Sequence, residues 1–510
     1  RMYSYREVAA HNSENSSWVI VDNEIFDVSK FLEFHPGGKQ ILLQNAGKDV
    51  TEVFHMYHNS SVLTKYRSKL KIGEVSDYKA ASKVRVANSF GDLIPFGDPL
   101  WYQRLQSPYY KNTHIQFRNR IRQFVDTEIL PNLNEWKENS QPPRDLYLKM
   151  GAQGFLACMV GPPFPFDYVD AGTPYPEDFD YFHELILYDE LARCGHSAVV
   201  AALSNGPAIA ISALYRFGSE EQKRKWIPDI LMGRKFCALA VSEPGAGSDV
   251  AGLACTATQQ GDVFIVNGNK KWITNGTYSD LFVTAVVTGA QGHGGLSLIL
   301  VTKDTPGFST RKVNIRGSDL SGTAYLDFDN SPVPVENLIG QEGKGWKYAM
   351  YNFNHERFYV VTIMARLARV CLEESIRYAM KRKTFGKYLH EHQAIRMKIA
   401  SMARRCECLH SWLESVVFNM CQMTHEEASM KLGDVIALLK AEGSRVYEHC
   451  ARETTMIFGG NALYCGGVGD RIEPAVSQVK GYQIPAGAED VMDDFGARTI
   501  FKLARVTAKL

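Results

Sequence analysis

Two histidines near the amino terminus stand in segments that would fix the position of an imidazole ring. His35 lies in the sequence Phe34-His-Pro-Gly-Gly38, and His58 follows 23 positions later. A Pro-Gly turn is rigid without adding bulk, and a neutral imidazole nitrogen is a ligand for haem iron. The pair is therefore a candidate haem site, with His55 as a local competitor for the second ligand position. The alternative is a pair of ordinary turn histidines, because a lone His-Pro-Gly is common.

A second candidate site is the glycine-rich segment Ser242-Glu-Pro-Gly-Ala-Gly-Ser-Asp249, which follows an apolar run at 238–241. Its spacing is not G-x-G-x-x-G, and no βαβ unit surrounds it, which excludes a dinucleotide-binding Rossmann turn. Small residues here would instead let the backbone approach a flat ring closely, with serine hydroxyls and amides free to bond.

The elements that would position these residues change their hydrophobic period twice along the chain. From about residue 111 to 233, apolar residues recur at three- and four-residue spacing, which predicts helices. Between about 234 and 335 the period falls to two, which predicts strands, including a hairpin around Asn267-Gly268. Long helical patterns return from Lys347 to the end. Because strands and helices do not alternate, we expect separate helical and β-domains.

The totals limit the kinds of protein that this chain can be. A length of 510 residues favours two to four compact units, and 45% hydrophobic with 22% charged residues is ordinary for a globular protein. A net charge of +1 provides no bulk field for nucleic acid or an anionic membrane. No apolar run approaches the ~18 residues that span a bilayer. The ten cysteines form no CxxC pair and no CxxCH, which predicts reduced thiols, no zinc site and no covalently attached haem.

The segment around the two histidines resembles the cytochrome b5 family. Its pattern is Phe-His-Pro-Gly-Gly followed by Ala46-Gly-Lys-Asp-Val-Thr-Glu-Val-Phe54 and a histidine, and the match runs over residues 4–74. The likeness is closest to the variant that is fused to flavin enzymes. It implies a small α+β module that binds haem b, with His35 and His58 as the two axial ligands.

Further segments resemble the acyl-CoA dehydrogenase family over residues 111–507. Besides the glycine-rich turn they are Lys271-Trp-Ile-Thr-Asn-Gly276, Arg382-Lys-Thr-Phe-Gly386 with His392-Gln393, Ile457-Phe-Gly-Gly-Asn461 and Ala486-Gly-Ala-Glu-Asp-Val-Met492. The resemblance implies a multidomain α+β protein in which a helical domain, a β-barrel-like domain and a carboxyl-terminal four-helix bundle hold FAD at their junction. The predicted segments are a cytochrome b5-like domain at 1–78, a linker at 79–110, a helical domain at 111–233, a β-domain at 234–340 and a helical domain at 341–510.

The family's cofactor residues carry over one by one. Ser242 and Ser248 would contact the flavin, Trp272 would pack beside its ring, and Thr274 would hydrogen-bond near its reactive nitrogen. The positions that hold the FAD of a neighbouring subunit are matched by Arg382, Phe385, Gln393, Gly459 and Gly460. An arginine at such a position suits a pyrophosphate because its planar fork offers several donors. The implied assembly is a homodimer or a homotetramer.

The catalytic base is where the chain departs from many relatives. Removal of the α-proton of an acyl thioester requires a carboxylate within about 3 Å, with its pKa raised by a dry pocket. Many family members carry this glutamate where the present chain has Ala486. A branch with isovaleryl- and long-chain-type enzymes carries it on a helix of the last domain, where the matching residue is Glu356. Glu489 and Asp490 are the runners-up.

The resemblance predicts FAD-dependent α,β-dehydrogenation of an acyl-CoA to the 2-enoyl-CoA, with electrons passed to the fused haem or to an external acceptor. Two alternatives stay open: an acyl-CoA oxidase that uses O₂, and a non-catalytic regulator that binds acyl-CoA or haem. The ending Ala508-Lys-Leu510 resembles the peroxisomal address Ser-Lys-Leu. We therefore expect a peroxisomal location, with cytoplasmic and mitochondrial locations as alternatives. Acyl chain length and branching stay open.

Overall fold

The computed structural model describes residues 1–58, 60–76, 78, 90–91, 93–103, 105–139, 141–316, 319–464 and 467–507. Part of the predicted linker (79–89, 92 and 104) and the ending Ala508-Lys-Leu510 lie outside the described residues, so the peroxisomal location stays a prediction. The chain divides into two compact units. Unit 1 contains Arg1–Leu105, Leu372–Ser401 and Arg452–Glu473, and unit 2 contains Gln106–Cys371, Met402–Ala451 and Pro474–Leu510.

The amino-terminal part of unit 1 is, over its described residues, a five-stranded sheet with short helices between the strands. The strands lie in the order β1-β5-β4-β3-β2. They are β1 (Met2–Tyr3), β2 (Asn12–Ser13), β3 (Ser16–Val21), β4 (Glu24–Asp27) and β5 (Lys71–Val75). The helices are α1 (Tyr5–Ala9), α2 (Lys39–Asn45), α3 (Thr51–Tyr57) and α4 (Ser60–Leu70).

Both faces of this sheet are apolar because successive side chains of a strand point to opposite sides. On β3, Val19 and Val21 join a core cluster with Leu32 and Leu63, whereas Ile20 joins a second cluster on the other face. Partly buried apolar side chains of α2 and α3 pack against the first cluster. The apolar core on this side of the sheet therefore continues into α2 and α3.

Unit 2 begins with helices whose apolar faces meet. They are α5 (Asn112–Phe124), α6 (Leu133–Asn139), α7 (Arg144–Ala152), α8 (Phe155–Cys158), α9 (Tyr181–Ala192), α10 (Ser197–Asn205), α11 (Ser212–Phe217) and α12 (Glu220–Leu231). Every residue of α9 from Phe182 to Ala192 is buried, including its charged ones. The helical pattern predicted for this part of the chain is present.

A seven-stranded sheet, counted over the described residues, follows in unit 2. Its order is β10-β9-β7-β8-β12-β11, with β6 parallel to β9. The strands are β6 (Cys237–Ala240), β7 (Thr256–Gln260), β8 (Val263–Ile273), β9 (Leu281–Val287), β10 (Leu296–Thr302), β11 (Phe308–Lys312) and β12 (Ala324–Pro334).

The hairpin predicted around Asn267-Gly268 is wrong. Strand β8 runs unbroken from Val263 to Ile273, and the chain turns before it, at Gly261. Gly268 lies at a register shift against β12, and a Cβ on it would stand 2.8 Å from the Cα of Cys255. A glycine within a strand can mark a bulge or a close approach of two backbones as well as a turn.

The remaining elements are mainly long helices. They are α13 (Gly345–Tyr351), α14 (Phe353–Lys381), β13 (Lys383–Thr384), β14 (Lys387–Tyr388), α15 (Gln393–Cys421), α16 (His425–Lys431), α17 (Gly433–Phe458), α18 (Glu473–Ser477), α19 (Val479–Gln483) and α20 (Glu489–Thr507). The two strands form a small hairpin between α14 and α15. Helices α14 and α17 each begin in unit 2 and end in unit 1.

One helical stretch of the described chain, Ser197–Phe217, is long and apolar enough to cross a membrane by length and composition. However, 78% of its most apolar window is buried inside the protein. A helix enclosed in a protein core is apolar for the same reason as a membrane helix, so the stretch is weak evidence for a membrane span.

A buried ion pair joins α9 to α14 within unit 2. Arg366 is 1% exposed and Asp189 is 3% exposed. The guanidinium donates through Nε to Asp189 Oδ1 at 2.9 Å and through a second nitrogen to Oδ2. Since both charges are out of water, each depends on the other for its stability.

We expect Asp189→Ala to lower the free energy of unfolding by about 3–5 kcal/mol, because it leaves a buried guanidinium without its carboxylate. The matched control is Asp494→Ala, which removes an exposed ion pair with Arg498. Loss of that pair should lower the free energy of unfolding by less than about 1 kcal/mol. Guanidinium denaturation followed by tryptophan fluorescence measures both variants. Equal small changes would show that the buried pair adds nothing to stability.

Candidate functional site

His35 and His58 lie close together in the amino-terminal part of unit 1. His35 follows a 3₁₀ helix at Ser29–Phe34, and His58 directly follows the last residue of α3. Their ring centres are 6.0 Å apart. A metal–nitrogen bond of about 2 Å on either side of one ion would place two imidazole centres about 6 Å apart. The observed separation therefore suits two ligands of one iron.

Local contacts fix the ring of His35. Its Nδ1 lies 3.1 Å from the carbonyl oxygen of Gly38, and a donor at Nδ1 leaves the lone pair of Nε2 for a metal. A Cβ on Gly37 would stand 2.8 Å from the His35 ring, so only glycine leaves room for it. The Pro-Gly-Gly turn thus leaves room for the His35 ring and orients it by a hydrogen bond.

His58 lies in surroundings that favour a neutral ring. Burial, with nearby His35 and His55, lowers the pKa of His58, and the neutral imidazole is the form that ligates metals. The ring of Phe54 lies 4.8 Å from that of His58, and Phe31 lies 6.0 Å from His35. Both phenylalanines pack on the core cluster of this module. Two imidazoles beside apolar side chains fit a haem.

The competing histidine is engaged elsewhere. Nε2 of His55 lies 3.0 Å from Oδ1 of Asp22, on the turn between β3 and β4. The ring of His58 lies 6.0 Å from that of His35, and the structure therefore favours His58 over His55 as the second ligand.

The glycine-rich turn after β6 is held by a buried ion pair that sequence analysis missed. Lys270, fully buried on β8, donates to Glu243 Oε1 at 2.7 Å and to the carbonyl of Val241 at 3.0 Å. Glu243 also accepts two backbone N–H groups that precede β7. The N–H of Lys271 donates to the carbonyl of Ser242 at 2.9 Å. These bonds fasten the turn to the end of β8.

The fastened turn presents small residues beside an exposed aromatic ring. Gly245 and Gly247 have no atom within 4 Å of the place where a Cβ would stand. Trp272 is 52% exposed and has a φ of +69°, a strained conformation for a bulky residue. An open glycine surface and an exposed indole fit a flat flavin ring. Four predicted flavin contacts lie on this turn or at the end of β8, half-buried or exposed: Ser242, Ser248, Trp272 and Thr274.

The other predicted FAD contacts lie in unit 1, at the β13–β14 hairpin, the start of α15 and the end of α17: Arg382, Phe385, Gln393, Gly459 and Gly460. Tyr378, one turn before Arg382, stacks on Phe458 with ring centres 4.2 Å apart. Since Phe458 precedes Gly459, this packing brings the two segments together. Phe385 is 96% exposed, and a Cβ at either glycine would meet open space. An arginine and two open glycines on segments that pack together suit a phosphate-bearing ligand.

Glu356 lies in the first turn of α14, in unit 2. Although part of the residue is accessible, the protein around its carboxyl group is dense, and burial raises its pKa to about 7. The positive charges of Arg357 and Lys440 act in the opposite direction. A carboxyl group that titrates near neutral pH can both accept and return a proton, which supports the predicted role as a base.

Lys440 is a second residue that sequence analysis missed. It is fully buried, and burial lowers its pKa to about 8. Its ammonium donates to the carbonyl oxygens of Gln483 at 2.5 Å and Gly487 at 2.6 Å, while Arg357 donates to that of Ala486 at 3.3 Å. The loop that carries Ala486 is thereby tied to α17 and to the start of α14. The available signal was a lysine directly after the apolar run 435–439.

The two runner-up carboxylates have other surroundings. Oε2 of Glu489 lies 3.5 Å from Nε of Arg445, and Asp490 is exposed in the first turn of α20. Ala486 offers only a methyl group. Among the three carboxylates, the structure favours Glu356.

Family models, related sequences and solved structures all match this chain to acyl-CoA dehydrogenases. The N-terminal, middle and C-terminal domains of acyl-CoA dehydrogenase match residues 111–234, 238–331 and 343–501, and the cytochrome b5-like heme/steroid binding domain matches residues 4–76. An acyl-CoA dehydrogenase from Alternaria alternata is 36% identical over 79% of this chain and 95% of its own. An acyl-CoA dehydrogenase from Emericella nidulans is 37% identical over 82% of this chain and 97% of its own. The crystal structure of a probable acyl-CoA dehydrogenase from Mycobacterium abscessus has a TM-score of 0.71 at 29% identity. The match covers 77% of this chain and 100% of that one. These similarities confirm the predicted fold class.

We expect His58→Ala to abolish the haem absorbance of the purified protein, whereas His55→Ala retains it, because only His58 stands opposite His35. The ratio of haem absorbance to protein absorbance measures both variants after growth with added haem precursor. Loss of haem in His55→Ala with retention in His58→Ala would reverse the ligand assignment.

Proposed function

Because the chain belongs to the acyl-CoA dehydrogenase family and carries an amino-terminal cytochrome b5-like domain, we propose that it converts an acyl-CoA thioester to the 2-enoyl-CoA with Glu356 as the base. The observation that carries this assignment is the carboxyl group of Glu356, whose pKa burial raises to about 7, in a chain that has Ala486 at the usual position of the base. FAD, when bound, would accept the hydride that leaves the β-carbon.

The chemistry asked of Glu356 is a proton transfer. Its ionised carboxylate takes the proton from the α-carbon, and the product leaves a neutral carboxyl group in the same dense surroundings. Burial favours the neutral form, so the group is a stronger base than a carboxylate in water. Arg357 and Lys440 limit this effect, because their charges favour the ionised form. The balance keeps a usable share of the base ionised at neutral pH.

Two residue sets support FAD binding, each within its own unit. In unit 2 the turn fastened by Glu243 and Lys270 would receive the flavin ring beside Trp272. In unit 1 the guanidinium of Arg382 would bind the diphosphate, beside the open positions of Gly459 and Gly460. In the resembled family this second set serves the FAD of a neighbouring subunit. We therefore propose a homodimer or homotetramer.

The fused domain suggests a route for the electrons. We propose that the electrons removed from the acyl group leave the enzyme one at a time through a haem b held by His35 and His58. The 6.0 Å separation of the two rings and the apolar side chains beside them support this cofactor. An external one-electron acceptor would then reoxidise the iron. Direct reoxidation by O₂, as in an acyl-CoA oxidase, is the second candidate, and the peroxide yield per turnover distinguishes the two.

We expect Glu356→Gln to lower kcat by at least about 10²-fold, since removal of a positioned general base costs about 10²–10⁴-fold. The matched control is Glu489→Gln, which should retain activity because Glu489 lies beside Arg445. The assay follows dye reduction with a panel of acyl-CoA thioesters from short to long chain, together with FAD content. Full activity in Glu356→Gln would place the base elsewhere.

We expect kcat/KM to rise with pH through a limb centred near the pKa of about 7 of Glu356 and to level above it. The direction follows because the base must be ionised to accept the proton, and a carboxyl group is ionised above its pKa. The profile is measured for the wild type and for Glu489→Gln, which should coincide. A limb near the ordinary carboxyl pKa of about 4.3 would contradict the buried-base assignment.

A further inference from the structure

Within unit 1, the residue next to a predicted haem ligand contacts a predicted FAD residue. Arg382 donates a hydrogen bond to the hydroxyl of Tyr57. The centre of the guanidinium also lies 5.3 Å from the centre of the Tyr57 ring, which is cation–π distance. Tyr57 is the last residue of α3, and His58 follows it directly. Arg382 is followed directly by β13, the first strand of the hairpin around the exposed Phe385.

The chemistry of arginine allows this contact to coexist with a bound diphosphate. A guanidinium has five N–H donors in a planar fork, and the hydrogen bond to Tyr57 uses one nitrogen. The remaining donors can face a phosphate group while the contact with Tyr57 is kept.

We propose that the Tyr57–Arg382 contact is a docking point for electron transfer. It would hold the haem module, which is the amino-terminal domain with His35 and His58, against the FAD-binding loop, which is Arg382 with the β13–β14 hairpin. This inference rests on the proposed function and adds the place of the contact. Tyr57 and Arg382 act here as positioning residues.

In the docked state, two electrons must pass from the flavin to the haem, one at a time. Dehydrogenation gives one proton to Glu356 and transfers two electrons, with the second hydrogen, to the flavin. Each electron would reduce ferric iron to ferrous iron once, and the hydrogen held by the flavin would leave as a proton to solvent. A one-electron acceptor, such as a redox protein or a dye, would reoxidise the iron between the two transfers. A module held by a contact spends a larger share of its time in the transferring arrangement than one held by a tether alone.

The test uses the full chain loaded with FAD and haem. Tyr57→Phe removes the hydroxyl and keeps the ring, and Tyr57→Ala removes both. The matched control is Tyr66→Phe, since Tyr66 lies in the same module and packs on Phe31. Flash-generated deazaflavin radical reduces the flavin, and the first-order reduction of haem is followed by absorbance. Haem spectra and dehydrogenation with an artificial dye that accepts electrons from the flavin are measured for every variant.

We expect haem reduction to slow about tenfold in Tyr57→Phe, which loses a hydrogen bond to a charged group. It should slow further in Tyr57→Ala and stay unchanged in Tyr66→Phe, while dye-linked dehydrogenation and haem spectra stay at wild-type levels in all three. Wild-type rates of haem reduction in both Tyr57 variants would overturn the docking point and leave the relay standing. A wild type whose flavin is reduced while its haem stays oxidised would overturn the relay and the docking point together. A parallel loss of dye-linked activity would show that Tyr57 acts on the FAD site instead.

Discussion

Keeping charged groups out of water without neutralising them is the constraint on which this molecule depends. Glu356 must be buried for its carboxyl group to act as a base near neutral pH, and burial alone would drive it towards the neutral form. Arg357 and Lys440 counter that drift. Both cations also bond carbonyl oxygens of the loop that carries Ala486. The groups that tune the base therefore also shape the side of the site from which the usual glutamate is missing.

The same constraint organises the framework around the site. Lys270 and Glu243 form a buried pair that joins β8 to the glycine-rich turn, and Asp189 and Arg366 form one that joins α9 to α14. Pairs of this kind contribute little net stability compared with apolar packing, but they penalise any arrangement in which the partners separate. Each pair thus fixes the relative position of two elements that are distant in the sequence.

The sequence predicted the parts of the molecule that depend on local chemistry. The turn that carries His35, the glycine-rich turn at 242–249 and the change of hydrophobic period are readable because each involves neighbouring residues. The hairpin at Asn267-Gly268 failed because the same dipeptide serves a turn and a strand bulge, and only pairing with β12 distinguishes them. The partners of Lys270 and Lys440 were out of reach, since they lie 27 and 43–47 positions away. Chain-local patterns give no sign of which distant group a buried lysine meets.

Helix α9 has no face for solvent, and this affects how the chain reaches its fold. All its residues from Phe182 to Ala192 are buried, and the arginine that satisfies Asp189 lies 177 positions later. At a synthesis rate of about 5–20 residues per second, Asp189 is made roughly 9–35 s before Arg366. During that interval Asp189 lacks the buried guanidinium that pairs with it in the folded protein. The helical domain is therefore a natural client for chaperones that hold a growing chain until its later half arrives.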